Sequence, residues 1–425
     1  MTDKIHVCII SLGLPQEAGG AELRAFRHTR YLRLKNDTTA ILICLDQENN
    51  SSDYALPNYV YPTRIFFQDF RSKSRILQML KLCLYICEVI LTLGWKLFKL
   101  RCEYDVLQIL FAASWFTLIP IPIAKALGKT VILEMTDMGT DDPLTLNRRA
   151  AYPEKQMFPH RPLKYQLFLK ADAYVSKSHP LSEAYRQAGL PDYKLFQIAS
   201  AVDINQFRPP ETLQEKIDVR IKLDLDPADK IILTVGRITE QKGLHWLLPA
   251  LKEVLNHASD VKLLVAGPIM LGHQNYAQKR KREVEAWGLG ENVCFLGRVS
   301  NVDEYLRAAD IFVLPTAHEG FSGAILEAMA SALPIVTSDI PEVSQSQINP
   351  GKEGILVPVG DISQLSQSIE KLLNNPKFAE SLGRAARQRV KQEFTFDIIG
   401  SKYINLYKHL MSESKNFEND VIRQQ

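Results

Sequence analysis

A chain of 425 residues is too long for one ordinary hydrophobic core, so two domains of roughly 200 residues each are expected. Apolar residues at 46% and charged residues at 23% describe a globular protein and argue against a disordered one. Lys plus Arg number 51 and Asp plus Glu 48, and a net charge of +3 argues against bulk nucleic-acid binding.

In chain order, KIHVCII predicts a first strand, and no basic segment with a cleavage site precedes it. A cytoplasmic location is therefore expected. GGAELRAFRHTRYLRL follows, with Leu23, Phe26, Tyr31 and Leu34 at near-helical spacing. TAILICL predicts the next strand. Residues 76–100, ILQMLKLCLYICEVILTLGWKLFKL, form a long apolar helix interrupted by Lys81 and Glu88. The uninterrupted part is too short to span a bilayer. Over residues 64–105 eight basic residues stand against four acidic ones. Two readings fit: an amphipathic helix lying on an anionic membrane through residues 71–101, or a buried helix of the first domain. They are compatible.

Strands are then predicted at DVLQIL, KTVILEM, AYVSKS and LFQIAS, with helical stretches between several of them. Pro209 and Pro210 break regular structure. Beyond them KIILTVG, KLLVAG, VCFLG, DIFVLP, PIVTS and GILVP repeat the strand–helix alternation, and FDIIGSKYINLYKHL closes the chain as a helix. Such alternation implies parallel sheets covered by helices on both faces. The expected fold is α/β with two doubly wound, Rossmann-like domains facing across a cleft. Residues 1–205 form the first, 206–395 the second, and 396–425 a helix returning to the first.

The six cysteines, Cys8, Cys44, Cys83, Cys87, Cys102 and Cys294, show neither CxxC nor zinc spacing and read as reduced core thiols. The first strand is followed by SLGLPQEAGG rather than GxGxxG, and Walker A, HExxH and GxSxG sequences are missing too. Asp224-Leu225-Asp226 has the DxD form, but it lies in a polar linker before Pro227 and reads as chance. No metal site is expected. The strongest signal is EGFSGAILEAMA, residues 319–330, directly after DIFVLP. A strand end, a turn at Gly320 and a new helix place Gly320, Phe321 and Ser322 where backbone N–H groups cradle phosphate. Glu319 and Glu327 stand roughly 12 Å apart along the helix, enough to hold two ends of an extended ligand.

These residues resemble the family-4 glycosyltransferases, retaining enzymes of the GT-B kind, whose signature is Glu-x7-Glu. The similarity continues in TVGRITEQKGL, in GGAE, in AVDINQFRP and in GILVPVGD. It implies that Glu319 contacts the donor sugar and Glu327 the ribose, and that Arg237 and Lys242 neutralise the diphosphate. Gly236 belongs to the same donor set. Gly19 and Gly20 let the backbone approach phosphates or acceptor. A nucleoside-diphosphate sugar is then the donor substrate, with no separate cofactor, and the acceptor is a saccharide or lipid-linked. Cell-envelope polysaccharide or glycolipid biosynthesis is the setting implied, peripheral to the inner face of a membrane.

The sequence departs from that pattern on the acceptor side. Gln108 and Leu110 stand where the family carries a His-rich stretch, Met135 where another histidine is common, and Ser200-Ala201 replaces Asn-Gly. Asp137, in TDMGTDD with Asp141 and Asp142, is a substitute acceptor contact, with Gln108 beside it. The same departures suit a non-catalytic glycosyltransferase-like subunit that binds nucleotide sugar or a partner. A GT-B enzyme with another reaction, such as epimerisation, is the third reading.

Overall fold

The computed structural model describes residues 4–14, 20–46, 56–66, 75–111, 114–135, 161–270 and 272–423. The chain divides into two compact units, Met1–Ala199 with Ile399–Gln425, and Ser200–Ile398.

The first unit is built on a parallel sheet of β1 (Ile5–Ser11), β2 (Thr38–Leu45), β3 (Val60–Thr63), β4 (Val106–Phe111), β5 (Thr130–Met135), β6 (Ala173–Ser176) and β7 (Leu195–Gln197). Their spatial order is β3-β2-β1-β4-β5-β6-β7. The order reverses between β1 and β4, the arrangement of a doubly wound sheet. β1 and β5 are buried along almost their whole length. That is why they read as continuous apolar runs rather than as alternating ones. β3 is the strand that the sequence did not announce. It has four residues, VYPT, and its Pro62 is tolerable only because β3 lies at the sheet edge.

The helix Phe396–Arg423 closes this unit. It makes close backbone contact at Gly400, where a Cβ would lie 2.0 Å from Tyr31 Cε1. Lys408 pairs with Asp37 at 3.0 Å.

The second unit repeats the scheme with β8 (Lys230–Val235), β9 (Val261–Ala266), β10 (Val293–Gly297), β11 (Ile311–Leu314), β12 (Ile335–Ser338) and β13 (Ile355–Val357). The order is β10-β9-β8-β11-β12-β13, so the reversal falls between β8 and β11. Every strand pair is parallel. Leu247, Leu251 and Val254 of the helix Leu244–Leu255 and Leu365, Ile369 and Leu372 of the helix Ile362–Asn374 fill one face of the sheet. The fold class expected from strand–helix alternation is the one found. The expectation of buried thiols fails in part: Cys8 and Cys44 are buried, but Cys83, Cys87, Cys102 and Cys294 are exposed.

Candidate donor site

In an open parallel sheet, ligands bind beyond the carboxyl ends of the strands, where the order reverses. In the second unit this point lies past Val235 on β8 and Leu314 on β11. The chemistry-bearing residues gather there.

Past β8 the chain runs through Gly236 and Arg237 into a tight turn, Glu240–Lys242. Gly243 follows at φ 71°, and a Cβ on it would fall 1.8 Å from the carbonyl oxygen of Pro315. Only glycine allows that approach. The contact pins the β8 turn against the loop past β11. Three hydrogen bonds strap the two together: Ala317 N–H to Gln241 O (2.8 Å), Thr316 Oγ1 to Gln241 O (3.0 Å) and Gln241 Nε2 to His318 O (2.8 Å). Gly267, at φ 150°, supports the other side, since a Cβ there would sit 1.8 Å from Gly236 O.

This frame brings Lys242 and Glu319 into a direct ion pair, with side chains only 16% and 8% exposed. The aliphatic stem of Lys242 lies over Gly236, where a Cβ would meet its Cγ and Cδ at 3.5 Å. Gly236, Lys242 and Glu319 thus form one cluster, although 77 residues separate the charged pair. Arg237 is exposed beside them and forms no ion pair among the described residues. Glu327 lies further along the helix Gly323–Ala330, partly exposed.

The loop between Glu319 and that helix differs from the expected phosphate cradle. Phe321 is 3% exposed and packs edge-on against Phe394, ring centroids 5.7 Å apart. Ser322 is committed internally. Its N–H donates to Gln347 Oε1 (2.8 Å), its carbonyl accepts from Gln347 Nε2 (2.9 Å), and its Oγ caps the N–H of Ile325 (3.4 Å). An anion at this helix end therefore meets the N–H groups of Gly323 and Ala324, which have no intrahelical partner. Gln347 was not recognisable from the sequence as part of the site. It is fully buried and holds the loop from 25 residues away.

In the first unit Gly20 opens the helix Gly20–Leu34 and is exposed, with open space around it. Gly19, Asp137, Asp141 and Asp142 lie outside the described residues. Gln108 is a correction. It is fully buried, its Nε2 donates to Glu134 Oε2 (2.6 Å), and its Oε1 accepts from Tyr407. One donor and the acceptor oxygen of its amide are engaged inside the unit, and complete burial withholds the rest from an acceptor. Met135, in the second departing position, is likewise buried.

Gln108 belongs to a buried polar cluster. Lys177 Nζ lies 2.7 Å from Glu134 Oε1, with side chains 3% and 5% exposed, and Tyr403 donates to Glu134 Oε2 at 2.6 Å. His28 Nε2 stands 3.0 Å from the Tyr407 hydroxyl, whose own proton goes to Gln108, so His28 donates there. Burial resists ionisation of Glu134, but the Lys177 charge, the Lys177 and Tyr403 hydrogen bonds and the charge of Arg24 outweigh it. The carboxyl is held down to about 2. Burial pushes His28 down to about 4 and lifts the Tyr403 and Tyr407 hydroxyls well above their usual range. Charged residues inside or just past apolar strands, Glu134 in TVILEM and Lys177 after AYVS, were the available signal for this cluster.

Comparison with known proteins adds the class. Residues 215–389 match the family model described as Glycosyl transferases group 1. The chain is 29% identical over 189 residues to the capsular polysaccharide biosynthesis glycosyltransferase CapM of Staphylococcus aureus, covering 44% of this chain and 47% of that one. It is 25% identical over 271 residues to the lipopolysaccharide core biosynthesis mannosyltransferase LpsB of Rhizobium meliloti, covering 64% and 75%. The matched stretch thus spans about half of the first relative and three quarters of the second. Among solved structures, sucrose-phosphate synthase from Thermosynechococcus elongatus superposes with a TM-score of 0.74 at 21% identity, over 96% of this chain and 100% of that one. Anabaena HepE in complex with UDP and glucose does so with a TM-score of 0.73 at 18% identity, over 95% and 99%. The fold is therefore that of the GT-B glycosyltransferases. The group 1 match covers most of the second unit, including the strand ends just described.

Proposed function

We propose that this protein is a retaining glycosyltransferase that moves a hexose-type sugar from a nucleoside-diphosphate sugar to a saccharide or lipid-linked acceptor. The observation that carries the proposal is the Lys242–Glu319 pair over Gly236 at the switch point of the second sheet, inside the group 1 match. Relatives named for capsule and lipopolysaccharide core synthesis support cell-envelope polysaccharide or glycolipid as the product class. HepE, which shares the fold, was solved in complex with UDP and glucose, in keeping with a nucleotide-sugar donor. All six cysteines are free, which fits a reducing, cytoplasmic setting.

In the proposed reaction the bond from the sugar C1 to the diphosphate oxygen breaks, and its electron pair stays on the phosphate. The acceptor oxygen bonds to C1 from the same face, and its proton passes to the departing phosphate. Negative charge therefore grows on the leaving group, where Arg237 and Lys242 stabilise it together with the N-terminus of the helix Gly323–Ala330. In the resting site Glu319 holds Lys242. When donor binds, Lys242 turns to phosphate and Glu319 to the sugar hydroxyls, while Glu327 takes the ribose. The family-4 assignment and retention rest on the Glu-x7-Glu resemblance.

A second reading, a subunit that binds nucleotide sugar without catalysis, is favoured by the internal engagement of Gln108 and the burial of Met135. One experiment separates the two. The full chain is incubated with UDP-, GDP- and ADP-sugars, with and without envelope glycolipid extract, and followed by proton NMR of the anomeric signal. Nucleoside diphosphate release with retained configuration in the product is expected. Binding without any release supports the second reading, and inverted configuration removes retention.

A further inference from the structure

The helix Arg75–Lys99 is apolar on two opposite faces. One face, with Tyr85, Val89, Leu93 and Leu97, is at most 8% exposed and belongs to the core of the first unit. The other points outward with Ile76 at 82% exposure, Leu80 at 55%, Leu91 at 71%, Trp95 at 68% and Phe98 at 46%. From Ile76 to Phe98 this strip runs roughly 33 Å along the helix at 1.5 Å per residue. Scattered exposed apolar residues need no explanation, but a continuous strip of this kind marks an interaction surface.

Its charges indicate the partner. Exposed Lys99 and Arg101 stand at the C-terminal end, with the Arg101 guanidinium 4.2 Å over the Phe98 ring, and Lys81 stands toward the other end. The only carboxylate in the helix sequence, Glu88, accepts the N–H of Phe66 at 2.8 Å. A second copy laid on the strip in either direction would set the same cations against each other, with Glu88 the one carboxylate within the helix itself. An anionic lipid surface answers both the cations and the apolar strip.

We propose that this helix lies in the plane of a membrane, its outer face inserted into one leaflet that carries anionic headgroups. It is long and apolar enough to cross a bilayer by composition alone. Crossing, however, would strip Tyr85, Val89, Leu93 and Leu97 from their core. It would also break the bonds from Lys96 Nζ to Pro62 O and Thr63 Oγ1, both 2.7 Å. In-plane insertion keeps all of these. The aromatic pair Trp95 and Phe98, with cations beside it, then sits at headgroup level. This inference stands apart from the donor chemistry, which involves a different unit.

The test uses the full chain sedimented with vesicles of phosphatidylcholine, with or without phosphatidylglycerol. Preferential binding to anionic vesicles, weakening as salt rises, is expected. Leu91→Glu with Trp95→Glu should cut binding at least ~10-fold, because insertion scales with buried apolar area. Lys99→Glu with Arg101→Glu should remove the preference for anionic lipid. In the unaltered chain, shallow brominated lipids should quench a fluorescence component that Trp95→Phe removes. Absent binding, equal binding to neutral vesicles or absent quenching overturns the proposal. So does a lipid-free dimer that Leu91→Glu abolishes. Donor hydrolysis measured without lipid should be the same in all these variants, so a failure of docking is told apart from a failure of the transferase reading.

Discussion

At the scale of single residues, the candidate site turns on two cations and one hidden amide. Arg237→Ala and Lys242→Ala should each lower sugar transfer by at least ~10²-fold, the loss seen when one donor to a developing oxyanion is removed. Initial rates at saturating donor check this, and near-wild-type turnover in both variants would remove the diphosphate assignment. Gln347→Leu tests the loop. The change leaves the buried N–H of Ser322 without its partner, a loss of about 1–3 kcal/mol, while the Ser322 carbonyl keeps the N–H of Leu326 at 3.2 Å. A lower Tm together with a raised donor KM is expected. A lower Tm with unchanged KM would mean that the loop does not shape the donor pocket. The sequence displayed Glu319, Arg237 and Lys242 because they sit in motifs next to strand ends. It hid Gln347, since a side chain that clamps a loop from another segment leaves no periodicity or spacing behind. Gln108 misled for a related reason. Its position on β4 pointed to the acceptor side, whereas its buried amide is held by the Tyr407 hydroxyl, 299 residues away.

At the scale of elements, apolar runs located twelve of the thirteen strands among the described residues to within a residue or three, because buried parallel strands must be apolar on both faces. Only the short edge strand Val60–Thr63 escaped, having too few residues and a proline. The helix Arg75–Lys99 packs one face into the core, as one of its two readings expected, and leaves the other face exposed. What no run could display is the polar packing of the last helix onto β4 and β5, and this packing has a pH signature. His28 has a folded-state value of about 4 against an ordinary 6.5, so the unfolded chain takes up its proton first and stability falls as pH drops from about 6.5 to 4. Glu134 has about 2 against an ordinary 4.5, so its contribution is complete above about 4.5 and is lost as pH falls toward 2. Denaturant midpoints measured from pH 7 to pH 3 should therefore decline throughout. His28→Phe should flatten the upper part of that decline, where carboxylates are not yet titrating. A variant whose curve matches the parent above pH 5 would contradict the assignment.

At the scale of the whole molecule, the two units share one sheet plan, order reversing between the first and fourth strands of each, and they differ in what lies at the reversal. The second carries the charged pair and a helix N-terminus. If cationic side chains replace a divalent ion at the leaving group, transfer should survive EDTA with its rate unchanged; complete loss restored by magnesium or manganese would show a metal site instead. The return of the last helix has a separate consequence, for the protein during its synthesis. Residues 200–398 are contiguous, so the second unit has its entire sheet as soon as that stretch leaves the ribosome. The first unit, although translated earlier, waits for Tyr403 and Tyr407 before Glu134, Lys177 and Gln108 gain their full set of partners. Domains generally fold as units in the order they emerge, but here the order of completion is reversed. Nascent chains stalled shortly before Tyr403 should expose the first unit to protease while the second resists. Completion of the first unit is thus timed by the arrival of Tyr403 and Tyr407, not by the synthesis of its own sheet.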